Sequence, residues 1–267
     1  MDLGVRDRRY LVVGGTAGMG FAAASVLAAE GARVVIAGRD PGRAAEAAAR
    51  LRQEHGATVD AVVGDVSASG GAEAVLADAV GLLGGLDGLA VTTGTASVAH
   101  TSFDAADDDA WATSFEDVLM GTVRSVRAAL PHLRASRTGT VVTTAAYSIH
   151  AYHSARVPYV ALKSAVAAFT KTIAREYGRH GVRANCVCPG AVETGELAAL
   201  RARLARDRGI PAEGLLEDVM QREWHMDVAL GRLGTPAEVG ELYAFLLSER
   251  AGYLSGAVIN IDGGTDF

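Results

Sequence analysis

Tyr159 and Lys163 are the residues whose types and spacing best suit acid–base chemistry in this chain. If residues 158–163 are helical, the four-residue spacing places the phenol and the ammonium on one face, a turn apart. A free phenol ionises near about pH 10, and a fixed cation beside it favours the phenolate and lowers the phenol pKa. The pair therefore predicts a tyrosine that acts as a general acid or base.

The use of lysine supports a functional pair. Lys163 and Lys171 are the only lysines in the chain, and arginine supplies all other basic residues. A lysine ammonium is compact and its pKa shifts readily with its surroundings, whereas a guanidinium stays charged. An exposed helix pair without a function would show the same spacing. The surrounding elements therefore have to decide whether the pair is functional.

Those elements predict a parallel sheet, because short β-branched runs alternate with Ala-rich helical stretches. We predict strands at 10–13, 33–37, 59–63, 88–91, 140–144, 183–187 and 257–261. We predict helices at 19–29, 41–54, 72–83, 108–134, 157–177 and 236–247. The expected fold is a single-domain, Rossmann-type α/β fold: a doubly wound parallel seven-stranded sheet with helices on both faces.

One long insertion departs from this alternation. Residues 195–230 contain no predicted strand and show helical patterning. The apolar positions of that pattern are Leu197, Leu200, Leu204, Leu215, Val219 and Trp224. We expect a helical substrate lid over the carboxyl ends of the strands, and an oligomer contact is the alternative.

Composition narrows the class of protein. The 267 residues are 49% hydrophobic and show no linker, which favours one domain over 1–267. A net charge of −6 argues against nucleic acid or an anionic membrane as the main partner. No apolar run reaches the roughly 18 residues of a membrane span, and the first residues do not begin a signal peptide. We expect a cytoplasmic protein that acts on a small molecule.

The two cysteines, Cys186 and Cys188, alternate along a predicted strand and should point to the same face. This arrangement favours buried structural thiols over a disulfide, a redox pair or a metal site. No metal is expected.

A glycine-rich turn joins the first strand to the first helix and includes Gly14, Thr16, Ala17, Gly18, Met19 and Gly20. Its glycines permit a tight turn and a close approach of the backbone to a pyrophosphate. The amides at the helix N-terminus would then face the phosphates. This position in a βα unit predicts a dinucleotide site.

With these motifs, the chain resembles the short-chain dehydrogenases/reductases, a single-domain family with a Thr-Gly-x-x-x-Gly-x-Gly loop and a Tyr-x-x-x-Lys site. The resemblance covers nearly the whole chain and includes 232–238 and 262–264, although Val13 replaces the first threonine of the loop. It implies a homotetramer or homodimer that pairs the long helices at 108–134 and 157–177. The cofactor contacts that it implies, beyond the loop and the catalytic pair, are Asp65, Val66, Gly94, Pro189, Gly190 and Thr194.

Cofactor choice depends on the end of the second strand. Gly38 leaves room where an acid would bind the ribose hydroxyls of NAD, and Arg39 offers charge for a 2′-phosphate. We expect NADP(H). NAD(H) stays possible, because Ala17 stands where NADP-type members often carry a basic residue.

Two catalytic residues of the family are replaced. The serine thirteen residues before the tyrosine is Ala146, and the asparagine seven residues after the helix tryptophan, here Trp111, is Val118. The segment that is usually Asn-Asn-Ala-Gly reads Val-Thr-Thr-Gly at 91–94. Loss of a donor to the substrate oxygen typically costs about 10²–10³ in rate. Valine also cannot hold the water that links the lysine to solvent.

Several nearby residues could substitute for the serine. Ser148 is the preferred surrogate donor and His150 is next, followed by Thr144, Tyr152 and His153. The acidic run at 104–109 is more simply charge at a helix N-terminus. A Tyr-x6-Lys site, as in related enoyl reductases, would need a tyrosine at Arg156, so that subclass is disfavoured.

The leading functional hypothesis is an NADPH-dependent carbonyl reductase, or the reverse alcohol dehydrogenase, with a bulky, mostly apolar substrate. The Ala- and Arg-rich composition associates it with secondary metabolism. One alternative is reduction of C=C or C=N, or a redox-neutral elimination or isomerisation with Tyr159 as acid or base. A second alternative is a non-catalytic, cofactor-binding protein.

Overall fold

A computed structural model describes residues 2–94, 103–150, 156–223 and 226–265 of the chain. Seven strands form one parallel sheet in the order β3-β2-β1-β4-β5-β6-β7. They are β1 (Arg9–Val13), β2 (Arg33–Gly38), β3 (Val59–Val63), β4 (Gly88–Val91), β5 (Thr140–Thr144), β6 (Arg183–Pro189) and β7 (Val258–Ile261). The strand order reverses between β1 and β4, where a doubly wound sheet forms a crevice at its carboxyl edge.

The helices are α1 (Gly18–Ala29), α2 (Pro41–His55), α3 (Gly71–Leu83), α4 (Asp108–Ser114), α5 (Gly121–Ala135), α6 (Val157–Tyr177), α7 (Gly195–Arg208), α8 (Leu215–Arg222) and α9 (Pro236–Leu247). Alternate strand residues point to opposite faces, and each face has its own apolar core. Val12 packs in one core with Tyr243 of α9. Leu11 packs in the other with Leu76 of α3 and Ile173 of α6. The predicted fold class and all seven strands are confirmed.

The predicted helix at 108–134 differs from the structure in one respect. Between α4 and α5 lies a π-helical segment, Phe115–Met120, which inserts a wider turn without ending the helix. Asp107 caps α4 by accepting a hydrogen bond from the amide of Ala110 at 2.9 Å. The acidic run is therefore helix N-terminal charge, as predicted.

The 195–230 insertion is helical, as predicted, and consists mainly of α7 and α8. Leu216 and Met220 of α8 form a small core with Leu233, against which leucines of α7 pack. Trp224 lies outside the described residues. Among the described part of the insertion, the only β-type pairing is an isolated bridge from Val228 to Thr265.

Cys186 and Cys188 are free thiols buried in β6, in a core cluster that also contains Val118 and Leu162. Within the described ranges, no group of three or more His, Cys, Asp or Glu side chains could hold a metal ion. The helices of the same ranges include none that is long and apolar enough to span a membrane.

Candidate active site

The loop between β1 and α1 is packed so closely that its glycines leave no space for side chains. Gly14 has φ +83°, and a Cβ placed on either Gly14 or Gly20 would lie 2.5 Å from Oγ1 of Thr92. Ala17, the N-cap of α1, offers no side-chain cap, so the first amides of α1 remain available to an anion. This cradle fits the pyrophosphate of a dinucleotide.

The segment that follows β6 meets this loop. A Cβ on Gly18 would lie 3.3 Å from Cγ2 of Thr194, the N-cap of α7. A Cβ on Gly190 would lie 2.7 Å from Cα of Asp262. Pro189 ends β6 at the same edge of the sheet. The structure therefore brings together the predicted phosphate and nicotinamide segments.

The end of β2 marks the expected adenosine position. A Cβ on Gly38 would lie 2.7 Å from Cγ2 of Thr16, so an acid at position 38 would collide with Thr16. Arg39 is exposed. A short hydrogen bond from the Ser67 hydroxyl lowers the pKa of Asp65, and the charge of Arg39 adds to this effect. Val66, predicted to line the adenine, is buried in the core.

Tyr159 and Lys163 lie on one face of α6, as predicted, with Nζ of Lys163 5.6 Å from the centroid of the Tyr159 ring. Lys163 is only 2% exposed. Its ammonium donates hydrogen bonds to the carbonyl of Thr144 at 2.9 Å and to that of Thr93 at 3.4 Å. Burial lowers the pKa of Lys163 to about 8.

The predicted lowering of the tyrosine pKa by Lys163 is wrong for this structure. Burial raises the pKa of Tyr159 to about 12, because desolvation disfavours the phenolate. The nearby cation that opposes this rise is Arg156. Lys163 instead directs its ammonium to two backbone carbonyls.

Gly94 and Val118 meet at the lysine. Gly94 has φ +90°, and a Cβ on it would lie 3.1 Å from Cα of Val118 and 3.2 Å from Nζ of Lys163. Val118 belongs to the π-helical segment and is buried. The side chain at the predicted asparagine position therefore lies beside Tyr159 and Lys163, and as a valine it provides no hydrogen bond there.

A family model described as Enoyl-(Acyl carrier protein) reductase matches residues 14–266. The chain belongs to the short-chain dehydrogenase/reductase family. It is 30% identical to the short-chain reductase protein NovJ of Streptomyces niveus, over 95% of this chain and 92% of that protein. It is 32% identical to the L-fucose dehydrogenase of Rattus norvegicus, over 96% and 88% of the two chains.

Solved structures agree with this assignment. The L-sorbose reductase of Gluconobacter frateurii, solved in complex with NADPH and L-sorbose, has a TM-score of 0.92 to this chain. It is 31% identical and covers 98% of each chain. The protein is thus an NAD(P)-dependent short-chain dehydrogenase/reductase, an oxidoreductase whose glycine cradle fits the expected cofactor.

The candidate surrogate donors of this dehydrogenase/reductase differ in their burial and in the hydrogen bonds that they already make. Ser148 is 4% exposed, and its Oγ has no hydrogen-bond partner among the described residues. The Thr144 hydroxyl donates to the carbonyl of Val91 at 2.6 Å and is fixed within the sheet. His150 is exposed. Tyr152 and His153 lie outside the described residues.

Two further residues of this short-chain dehydrogenase/reductase lie at the site and were missed from the sequence. Tyr147 is 8% exposed, and its hydroxyl donates to Sδ of Met226 at 3.0 Å. Arg156 is the N-cap of α6, and its charge lowers the pKa of both Tyr147 and Tyr159 against the effect of burial. The i, i+3 spacing to Tyr159 could have identified Arg156. No sequence signal pointed to Tyr147.

Proposed function

We propose that this enzyme uses NADPH to reduce a carbonyl group of a bulky, mostly apolar small molecule, or oxidises the corresponding alcohol. One observation carries the proposal: the Tyr159 phenol lies above a fully buried Lys163 at the carboxyl edge of the sheet, next to the dinucleotide cradle. Tyr159 is only partly buried, so a substrate can reach it.

The protonation state of Tyr159 favours the reductive direction. With its pKa raised to about 12, the phenol carries its proton at neutral pH and can act as a general acid. When bound, the reduced nicotinamide supplies the hydride that forms the new C–H bond. As the C=O π electrons move onto oxygen, Tyr159 gives that oxygen its proton. Lys163 has a third N–H with which to hold the cofactor ribose.

The preference for NADPH rests on the end of β2. Thr16 fills the space that an acid at position 38 would need, and exposed Arg39 can pair with a 2′-phosphate. The related L-sorbose reductase was solved with NADPH. Ala17 is the residue that weakens this preference, so activity should be measured with NADPH and with NADH.

The insertion supports an apolar substrate under a lid. The small core of α7 and α8 consists mainly of leucine and methionine side chains. The hydrogen bond from Tyr147 to Met226 ties the insertion to the loop beside Tyr159. We therefore propose that residues 195–230 cover the substrate, within a single catalytic domain formed by 1–267.

The test is reduction of a panel of bulky aromatic and aliphatic ketones. The reaction is monitored through the oxidation of NADPH. We expect the wild type to turn over and Tyr159→Phe to lose at least about 10²-fold in kcat/KM, because phenylalanine has no proton to give. The double variant Ala146→Ser/Val118→Asn is the control for a competent fold and cofactor site. Turnover by this variant alone would show that the native reaction is not carbonyl reduction.

The absence of a hydroxyl at Ala146 favours a second candidate function. A C=C or C=N reduction, or a redox-neutral elimination or isomerisation with Tyr159 as acid or base, develops no alkoxide and needs no such donor. Deuterated NADPH distinguishes a reduction from a redox-neutral reaction. A reduction transfers deuterium to the product, whereas a redox-neutral step leaves no deuterium in it. Tight NADPH binding with Tyr159→Phe equal to wild type in every assay would instead indicate a non-catalytic protein.

Assembly, location and pathway are proposals of the same kind. We propose a cytoplasmic homotetramer or homodimer that pairs the long helices around α5 and α6. The composition supports a role in secondary metabolism, as does the similarity to a Streptomyces short-chain reductase.

A further inference from the structure

On the basis of the carbonyl reduction proposed above, we propose that Tyr147 and Arg156 together replace the missing serine. Tyr147 donates a hydrogen bond to the reacting oxygen, and Arg156 stabilises the negative charge that develops on it. Both residues are then catalytic residues of this enzyme.

Arg156 is placed by the start of α6. As the N-cap it precedes Tyr159 by three residues and Lys163 by seven, so the three side chains follow one face of the helix. Arg156 is only partly buried. Its charge reaches both phenols, since it lowers the pKa of Tyr147 and of Tyr159. Lys163 does not fill this role, because its ammonium binds two backbone carbonyls below the ring.

Tyr147 is placed by the turn after β5. It directly follows Ala146 in the short 3₁₀ turn Tyr147–Ile149, so its phenol starts from the position next to the lost serine. Tyr147 is buried, and it lies close enough to Tyr159 to raise the pKa of the Tyr159 phenol. Burial also raises the pKa of Tyr147, which keeps it a proton-bearing donor at neutral pH.

A substrate oxygen would compete with a weak acceptor for the hydroxyl of Tyr147. In the structure this hydroxyl donates to the thioether of Met226, which is a weak acceptor. A substrate oxygen that gains negative charge is a much stronger acceptor, and hydrogen bonds to ionised groups are roughly twice as strong as neutral ones. The gain is therefore larger in the transition state than in the ground state, which is the condition for catalysis.

Ser148 is the rival donor. Its buried Oγ without a described partner is consistent with a donor waiting for a ligand. Arg156 contributes the largest charge effect on the Tyr159 pKa, followed by Tyr147 and Cys188. A neutral serine hydroxyl has no such charge, so the experiment has to compare the two alternatives directly.

The kinetic experiment compares Tyr147→Phe, Arg156→Gln and Ser148→Ala with two controls on α6, Tyr177→Phe and exposed Arg175→Gln. We expect Tyr147→Phe and Arg156→Gln each to lower kcat about 10²-fold, with the Kd for NADPH within about twofold of wild type. The double variant should lose less than the product of the two, because both groups act on one oxygen. Full activity in Tyr147→Phe, or loss of activity in Ser148→Ala alone, would overturn the proposal.

A second measurement needs no turnover. The seven tyrosines are replaced by 3-fluorotyrosine and titrated by ¹⁹F NMR, with Tyr147→Phe and Tyr159→Phe assigning the two signals. We expect Arg156→Gln to raise both midpoints and Arg175→Gln to leave them unchanged. Unchanged midpoints in Arg156→Gln contradict the proposed role of Arg156. If the midpoints shift but the protein reduces no ketone, the effect of Arg156 on the two tyrosines is supported. In that case it is the proposed carbonyl reduction that is wrong.

Discussion

Lys163 shows how a single buried charge is accommodated in this enzyme. Its ammonium is almost fully buried and has carbonyl partners at Thr93 and Thr144. Carbonyl dipoles satisfy the N–H groups, but they compensate the desolvation of the charge only in part. The pKa of Lys163 is therefore low, at about 8.

This low pKa predicts a pH-dependent difference in stability between wild type and Lys163→Met. Between about pH 8, the pKa in the folded protein, and 10.5, the ordinary value, the unfolded chain binds more protons than the folded one. The free energy of unfolding of the wild type should therefore rise with pH in this window relative to the variant. Chemical denaturation of both proteins measures the difference in their free energies of unfolding. It is carried out at pH 7.5, 8.5 and 9.5, which are about one unit apart around the pKa in the folded protein. Parallel pH profiles of the two proteins would contradict a depressed lysine pKa.

At the scale of elements, the β1–α1 loop is held in place by β4. The Thr92 side chain and amide both donate to the carbonyl of Val13, at 2.9 Å each. The same threonine hydroxyl borders Gly14 and Gly20. The cradle for the pyrophosphate is thus shaped by the neighbouring strand as well as by its own glycines.

Gly20→Ala should weaken cofactor binding and the fold together. The new methyl group would meet the Thr92 hydroxyl at 2.5 Å and the backbone of Gly14, so the loop has to shift. We expect a loss of about 1–3 kcal/mol in unfolding free energy and at least about tenfold weaker NADPH binding. Gly81→Ala in α3 is the control, because a Cβ at this position meets open space. Alanine favours the helix over glycine, so this variant should be more stable by about 0.5–1 kcal/mol. Differential scanning fluorimetry measures the stability, and fluorescence titration measures the affinity for NADPH. Unchanged NADPH affinity in Gly20→Ala would refute a close approach of the cofactor to this loop.

For the whole molecule, the sheet has an open edge at β7. Among the described strands β7 pairs only with β6, and Val258 on it is 36% exposed. Tyr253 and Leu254, just before β7, are also exposed. An unpaired edge with apolar side chains is suited to contact with a second copy of the chain.

Val258→Lys should therefore lower the mass of the assembly. A symmetric contact brings the new lysine close to its own copy, so the charges repel and the interface weakens. Val63→Lys is the matched control, because Val63 is an exposed apolar residue at the end of β3, the opposite edge strand. Light scattering after size exclusion should give a smaller particle for Val258→Lys only. Equal masses for all three proteins would place the interface elsewhere.

Much of this enzyme was determined by local sequence. The β-branched runs, the glycine turn and the helical spacing of Tyr159 and Lys163 depend on neighbours within a few residues. The sheet, the glycine loop and the shared face of Tyr159 and Lys163 could therefore be predicted. The replacements at Ala146 and Val118 are predicted from the sequence alone, because these positions lie at fixed counts from Tyr159 and Trp111.

Other features depend on contacts between distant segments, and only the tertiary structure decided them. Burial of Tyr159 and Lys163 by several elements moved both pKa values in directions that spacing alone did not indicate. The π-helical turn brings Val118 against Gly94, and the fold brings Tyr147 to Tyr159. Helical spacing specifies which side chains share a face. The dielectric environment of that face, and the groups that reach it from other strands, follow from how the whole chain packs.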